Sequence, residues 1–205
     1  MKKIFIFVVL CLIATQKVWT QYDKTEVFNK IKKKYANSTA VSINFCDAKH
    51  TSACYFLQAK KGNKFNLKSG NRRIVCDGKT LWNYSITNKN VVISDFEEGV
   101  ASFTLDYFFF EIFPNLIPTS FKSELSSSKK KSYVLSLRCE NQNTGVNTVN
   151  LSLTPDFTDI KELELVGDMG TQSWIIKKIK VNPKLDNSTF NFKVPEKVEV
   201  IDYRL

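Results

Sequence analysis

From Thr39 onward the chain is a succession of short apolar–polar alternations broken by turn-forming residues. That period of two predicts antiparallel strands with one buried and one wetted face. Residues 39–45 place Val41, Ile43 and Phe45 on one side, and residues 64–68 do the same with Phe65 and Leu67. The first series of predicted strands is 39–45, 55–59, 64–68, 72–76, 80–86 and 91–96. The turns between them are Lys61-Gly62-Asn63, Ser69-Gly70-Asn71, Asp77-Gly78 and residues 87–90. Asp77-Gly78 lies between Ile74-Val75-Cys76 and Leu81-Trp82-Asn83-Tyr84. It is a strong hairpin signal, because glycine takes positive φ without a Cβ clash. A second series follows at 121–124, 132–138, 147–154, 159–166 and 173–181, with a last short strand at 190–192.

Two stretches break the alternation. In residues 23–35, Val27, Ile31 and Phe28 recur at helical spacing, while Lys30, Lys32, Lys33 and Lys34 fall largely on the other face. Asp23 caps this predicted helix, with Glu26 three residues on. In residues 103–113, Leu105, Tyr107, Phe108, Phe109, Phe110, Ile112 and Phe113 crowd together with only two carboxylates. The expectation is a short helix ended by Pro114. So apolar a helix must be covered, either as core against the sheet or as a lid over its concave face. The prediction is a mainly β (α+β) domain, one antiparallel sheet of ten or eleven strands with helical pieces. A sheet that large tends to curl.

Composition and charge narrow the class. The chain has 205 residues, enough for one domain, and 16 of them are Phe. The start reads as a secretory signal: Lys2 and Lys3, then an apolar run over residues 4–14, too short to anchor in a bilayer. Cleavage is expected after Thr20, with Ala14 as the alternative, and residues 21–205 as the single domain. Cys11 follows Leu10, too large for the position before a lipidated cysteine. Removing 20 residues takes away Lys2, Lys3 and Lys17, so the formal charge falls from +10 to +7. Export and the absence of a recognition motif argue against nucleic acid. Cys46, Cys54, Cys76 and Cys139 remain as disulfide candidates in an oxidising compartment. Cys46 and Cys54 flank a short polar loop and suit a cross-strand bridge, which would leave Cys76 with Cys139. No Cys-x-x-Cys spacing supports a redox motif or zinc knuckle.

Catalytic chemistry is not indicated. His50 is the sole histidine and sits in a polar stretch. There is no Gly-x-Ser-x-Gly, P-loop, Rossmann or calcium-loop pattern. Glu97 and Glu98 are adjacent and would point opposite ways on a strand. Asn37, Asn83, Asn150 and Asn187 begin glycosylation sequons, which matter only in a eukaryotic secretory pathway. No metal or other cofactor is expected.

One family resemblance spans most of the chain. Asp77-Gly78-Lys79-Thr80-Leu81-Trp82 followed by Tyr84 resembles the core motif of the LolA family of periplasmic outer-membrane lipoprotein carriers. Lys60 to Asn66 lies upstream at the spacing of that family's Lys-Arg-Pro-Asn-x-Phe segment. Thr189 to Pro195 and Val198 to Asp202 resemble its closing segment. The resemblance implies an incompletely closed β half-barrel covered by helices, with an apolar inner face that takes lipoprotein acyl chains. It implies an acyl-chain cavity at Phe65 and Leu67, with Trp82 as the motif tryptophan and Ile43 and Phe45 added if their parity is right. It implies a lid at Phe108, Phe109, Phe110 and Ile112. Lys61 stands where the family has a latching arginine, and lacks that side chain's planar fork; Lys60, Arg72 and Arg73 are substitutes. The implied partners are an inner-membrane lipoprotein-releasing ABC transporter and an outer-membrane lipoprotein receptor, met by a periplasmic monomer. The alternatives are a lipid-sensing envelope regulator or other lipid-binding protein on the same fold, and a secreted hydrolase.

Overall fold

The computed structural model describes residues 22–96, 105–125, 131–168 and 170–204. The expected signal segment lies outside them. Helix α1 (Lys24–Tyr35) begins where Asp23 accepts a hydrogen bond from the Thr25 amide at 2.9 Å, and it buries Val27, Phe28, Ile31 and Tyr35. Their spacing makes one apolar stripe, and Glu26 and the last-turn lysines suit the helix dipole.

The strands are β1 (Ala40–Asp47), β2 (Cys54–Lys60), β3 (Lys64–Ser69), β4 (Arg72–Asp77), β5 (Thr80–Ser85), β6 (Asn90–Asp95), β7 (Leu116–Leu125), β8 (Lys131–Cys139), β9 (Val146–Leu153), β10 (Ile160–Gly167), β11 (Gly170–Val181) and β12 (Glu199–Asp202). Among the described residues they form one twelve-stranded sheet in the order β12-β6-β5-β4-β3-β2-β1-β11-β10-β9-β8-β7. Two meanders, β1–β6 and β7–β11, meet along the antiparallel β1–β11 pair. The ends β7 and β12 do not pair with each other, so the sheet is open and not a closed barrel.

The turns explain the first meander. Gly78 has φ +100°, and a Cβ there would lie 2.7 Å from the Gly62 carbonyl oxygen. Asp77 Oδ1 accepts from the amides of Lys79 and Thr80 at 2.9 and 2.8 Å, fixing the turn into β5.

The open sheet of about ten or eleven strands that was expected is present, with twelve strands among the described residues. Two expectations are corrected. Residues 190–192 are not a strand: Asn187–Phe190 is a 3-10 turn, and the last strand is β12, parallel to β6. The 121–124 strand is the end of a ten-residue β7 that holds Pro118, tolerated because β7 is an edge strand with a bulge there.

The main core lies on one face of the sheet, between it and two helical pieces. It includes Val41, Ile43, Leu57, Leu135, Leu151 and Leu163, with the α1 stripe packed above β7 and β8. The opposite face carries a second, smaller layer. There the C-terminal segment crosses β3 and β4, and Phe190 is buried. Asn66, 2 % exposed, donates from Nδ2 to the Thr189 carbonyl at 2.7 Å and accepts from Arg73 Nε at 3.2 Å. The Arg73 guanidinium lies 5.7 Å from the Phe192 ring centre.

Candidate functional site

Cross-strand register decides which side chains share the core face. Ile43 pairs with Leu57 and Ile179, Phe45 with Tyr55 and Ile176, Leu57 with Leu67, and Phe65 with Ala59 and Cys76. Directly opposed residues point to the same side of a sheet. Ile43, Phe45, Phe65 and Leu67 therefore lie on one face, which is the face of the main core.

Over this face runs Leu105–Asn115. It is not the single α-helix expected. Leu105–Tyr107 is one α-turn, Phe108–Ile112 is a π-helical turn, and Phe113–Asn115 is a 3-10 turn with Pro114 near its start. Five consecutive residues with one charge cannot all find apolar partners on one α-helical stripe. The wider π turn redistributes them, and such turns concentrate at functional sites. Phe108, Phe109, Phe110, Ile112 and Phe113 are all buried. Phe109 lies 5.4 Å from Tyr35 and 5.0 Å from Phe108 between ring centres, and Phe113 lies 5.9 Å from both Phe28 and Tyr35. This helical cover and α1 are thus joined by one aromatic cluster.

Between cover and sheet is a cavity of about 150 Å³, lined by Phe45, Tyr55, Leu57, Phe65, Leu67, Leu105, Asp106 and Trp174. The sequence reading reached Phe45, Phe65 and Leu67. It missed Tyr55 and Leu57, which the β1–β2 register brings beside Phe45 and Ile43, and Trp174, which only the β1–β11 pairing delivers. It also missed Leu105 and Asp106 as lining residues. Ile43 is fully buried in the core beside the cavity without lining it. The volume would hold a benzene-sized molecule. It falls short of the roughly 300–1,000 Å³ of ordinary ligand pockets, so a long acyl chain needs the cover to shift.

Asp106, 8 % exposed, is the charged side chain of the wall. Its neighbourhood includes Cys76. Burial, with smaller contributions from Asp77 and Asp106, pushes that thiol up to about 11, so it stays protonated and unreactive at neutral pH. Tyr35 behaves alike: burial first, then the Asp159 carboxylate, raises its phenol well above the usual tyrosine value. Tyr35 donates to Asp159 Oδ1 at 3.1 Å, and Lys34 pairs with the same oxygen. This clamp ties the end of α1 to the start of β10.

Trp82 is corrected. It pairs with Val75 and Ile93, one residue out of phase with Leu81 and Cys76, and so lies on the opposite face with the C-terminal layer. Leu81 takes the inward place and packs on the main core. Lys61 is exposed in the β2–β3 turn and, among the described residues, makes no ion pair. Among the described residues its side chain makes no hydrogen bond or ion pair to the cover. Arg73 is engaged by Asn66 and Phe192 on the far face, so it does not substitute.

The cysteines divide. Cys46 and Cys54, paired across β1 and β2, form a disulfide. Cys76 and Cys139 are buried free thiols, which corrects the second expected bridge. They sit on strands separated by most of the sheet, β4 and β8. The bridge adjoins Phe45 and Tyr55, whose rings stack at 5.0 Å on the cavity wall. Closing so short a loop, 8 residues in sequence separation, stabilises by about 2–3 kcal/mol in the chain-entropy account. The Cys46→Ser/Cys54→Ser variant is expected to lose that amount, read as a lower urea midpoint with a slope equal to or slightly above that of the wild type, because the unfolded chain is no longer cross-linked.

Among the described residues no group of His, Cys, Asp and Glu could hold a metal ion, and no helix is long and apolar enough to cross a membrane.

No curated protein matches the chain in sequence. Solved structures of similar shape include an uncharacterised conserved protein from Thermus thermophilus. It is 13% identical, with 87% of this chain and 98% of that one covered at a TM-score of 0.47. A LolA superfamily protein from Nitrosomonas europaea is 12% identical over 83% of this chain and 98% of its own, TM-score 0.41. A putative outer membrane lipoprotein-sorting protein domain from Vibrio parahaemolyticus is 9% identical over 82% and 97%, TM-score 0.41. The model of the family described as outer membrane lipoprotein carrier protein LolA matches residues 56–193. That span holds more than half of the chain, from β2 through the cover to the segment on the far face, and the protein belongs to the LolA family.

Proposed function

We propose that this protein is a periplasmic carrier that holds lipoprotein acyl chains between the cover and the sheet. The observation that supports this most is the apolar cavity under a helical cover, on a chain of the LolA family. Acyl chains leave a membrane at a cost of ~0.8 kcal/mol per methylene, so an unaided chain does not cross water. A cavity lined by Phe45, Leu57, Phe65 and Leu67 offsets that cost when the cover swings away. The cover's aromatic contacts re-form when the chain leaves, which favours release. No catalytic step is part of this reading.

In this reading residues 1–20 direct export and are removed, and residues 21–205 form one domain. Cargo comes from an inner-membrane ABC transporter and passes to an outer-membrane receptor. Phe108, Phe109, Phe110 and Ile112 act as the lid.

The test is native mass spectrometry of the mature protein purified from its own periplasm, with extraction of bound lipid and titration of a fluorescent fatty-acyl probe. Co-purifying lipoprotein or saturable uptake without turnover is expected. A clean unliganded mass with no uptake would sink the carrier reading. Uptake without release of lipoproteins from spheroplasts would point instead to a lipid-sensing regulator.

A further inference from the structure

The face of the sheet opposite the cavity carries a lysine field over its middle strands. By register, Lys178, Asn44, Phe56 and Lys68 lie in one row across β11, β1, β2 and β3. Lys180, Ser42 and Gln58 lie in the next. These positions alternate with Ile43, Phe45 and Leu57, so they point away from the core. Lys177, at the β-bulge in β11, is exposed as well. The row from Lys178 to Lys68 spans three strand spacings, roughly 14 Å.

Among the described residues, the four strands of this ground hold little counter-charge. β2, β3 and β11 contain no Asp or Glu. β1 contains only Asp47, at its end, whose carboxylate accepts from the amides of Lys49 and His50. The strand beyond β11, β10, carries outward carboxylates. Of these, Glu164 is held by Asn150 and Ser173, and Glu162 stands one row further along, beside Ile175. Among the described residues, Lys68, Lys177, Lys178 and Lys180 take part in no ion pair. The 3-10 turn of the C-terminal segment packs on β3 and β4, while Asn44, Lys68, Lys177, Lys178 and Lys180 are exposed.

We infer that this lysine face docks the protein on an anionic lipid surface with the cavity side held away from the headgroups. Specific protein interfaces are depleted in lysine and centred on aromatic or arginine anchors. On this face the lysines stand among Asn44, Ser42 and Gln58 with Phe56 as the one aromatic side chain, half-buried, and the nearby groove on β8 to β11 is lined by Ser136, Asn150, Glu164 and Ser173 and not by these lysines. Diffuse attraction to acidic headgroups needs no such centre and grows with each lysine near the surface. The inference rests on the carrier reading for its purpose, since a shuttle must dwell at the membranes it serves.

The test uses the mature protein without cargo and large vesicles of phosphatidylcholine, with or without phosphatidylglycerol. Co-sedimentation with the anionic vesicles alone is expected, fading as salt shortens the screening length. Lys178→Gln/Lys180→Gln is expected to bind on the order of thirty-fold more weakly. The control Lys33→Gln/Lys49→Gln removes the same charge from exposed positions elsewhere and is expected to bind as wild type. Equal binding to neutral vesicles, no binding to either, or equal loss in the control would overturn the inference. Retention on polyglutamate without vesicle binding would assign the face to an acidic protein and overturn it too. Acyl-probe uptake by Lys178→Gln/Lys180→Gln should be unchanged. Failed uptake by the wild type with intact vesicle binding would remove the carrier reading and leave the docking face standing.

Discussion

Phe65→Glu is expected to abolish uptake of a fluorescent acyl probe while the sheet stays folded. Phe65 is 4 % exposed, its ring meets that of Phe96 edge-on at 6.3 Å, and it forms part of the cavity wall. A glutamate there either takes up a proton or draws water into the cavity. Even a neutral polar group without a partner costs about 2–7 kcal/mol in apolar surroundings. About 2 kcal/mol alone weakens binding about thirty-fold. Phe65→Leu keeps the site apolar and should retain uptake, which separates lost chemistry from lost fold. Circular dichroism and the urea midpoint report the fold. A folded glutamate variant with normal uptake would show that acyl chains bind elsewhere.

The second large effect is at Phe109. Phe109→Ala is expected to lower stability by about 3–5 kcal/mol, because a buried ring in the aromatic cluster is lost. The same change should raise probe affinity. If the cover must leave for the chain to enter, the ligand-competent state gains population when the cover is held less firmly, and apparent affinity rises in proportion. Phe109→Leu should show both effects with smaller size and guards against outright unfolding. Lower stability with unchanged or weaker uptake would mean that the cover is simply core and that acyl chains enter by another route.

These expectations depend on which features the sequence could carry. The β2–β6 meander was legible because its turns are chemically explicit: Gly62, Gly70 and Gly78 all take positive φ in the structure. Helix α1 was legible from its stripe and cap. Trp82 was not. Residues of β3 to β5 have packed neighbours on both sides, since the main core lies over one face and the C-terminal segment over the other. Leu81 and Trp82 are both apolar, and only the register to Cys76 and Val75 separates them. The cavity's far wall was hidden for another reason. Trp174 is 119 residues from Tyr55 along the chain, and no local pattern reports a pairing at that distance. The π turn escaped because it answers tertiary crowding, not local propensity.

The β1–β11 seam has a consequence for how the chain folds. Strands within each meander meet partners a few residues away, so their loop-closure cost is small. The seam joins Val41 to Val181, and its formation must await residues made more than a hundred positions later. Nonlocal pairing of this kind slows folding and lengthens the life of partly assembled states. Until the seam closes, β1 offers one open edge and β11 another, each able to accept a strand from a second molecule. A chain made from its N-terminus emerges in order, with β1 near the front and β11 near the back. The first meander therefore waits with its β1 edge open, and concentration during refolding should control yield more than temperature does.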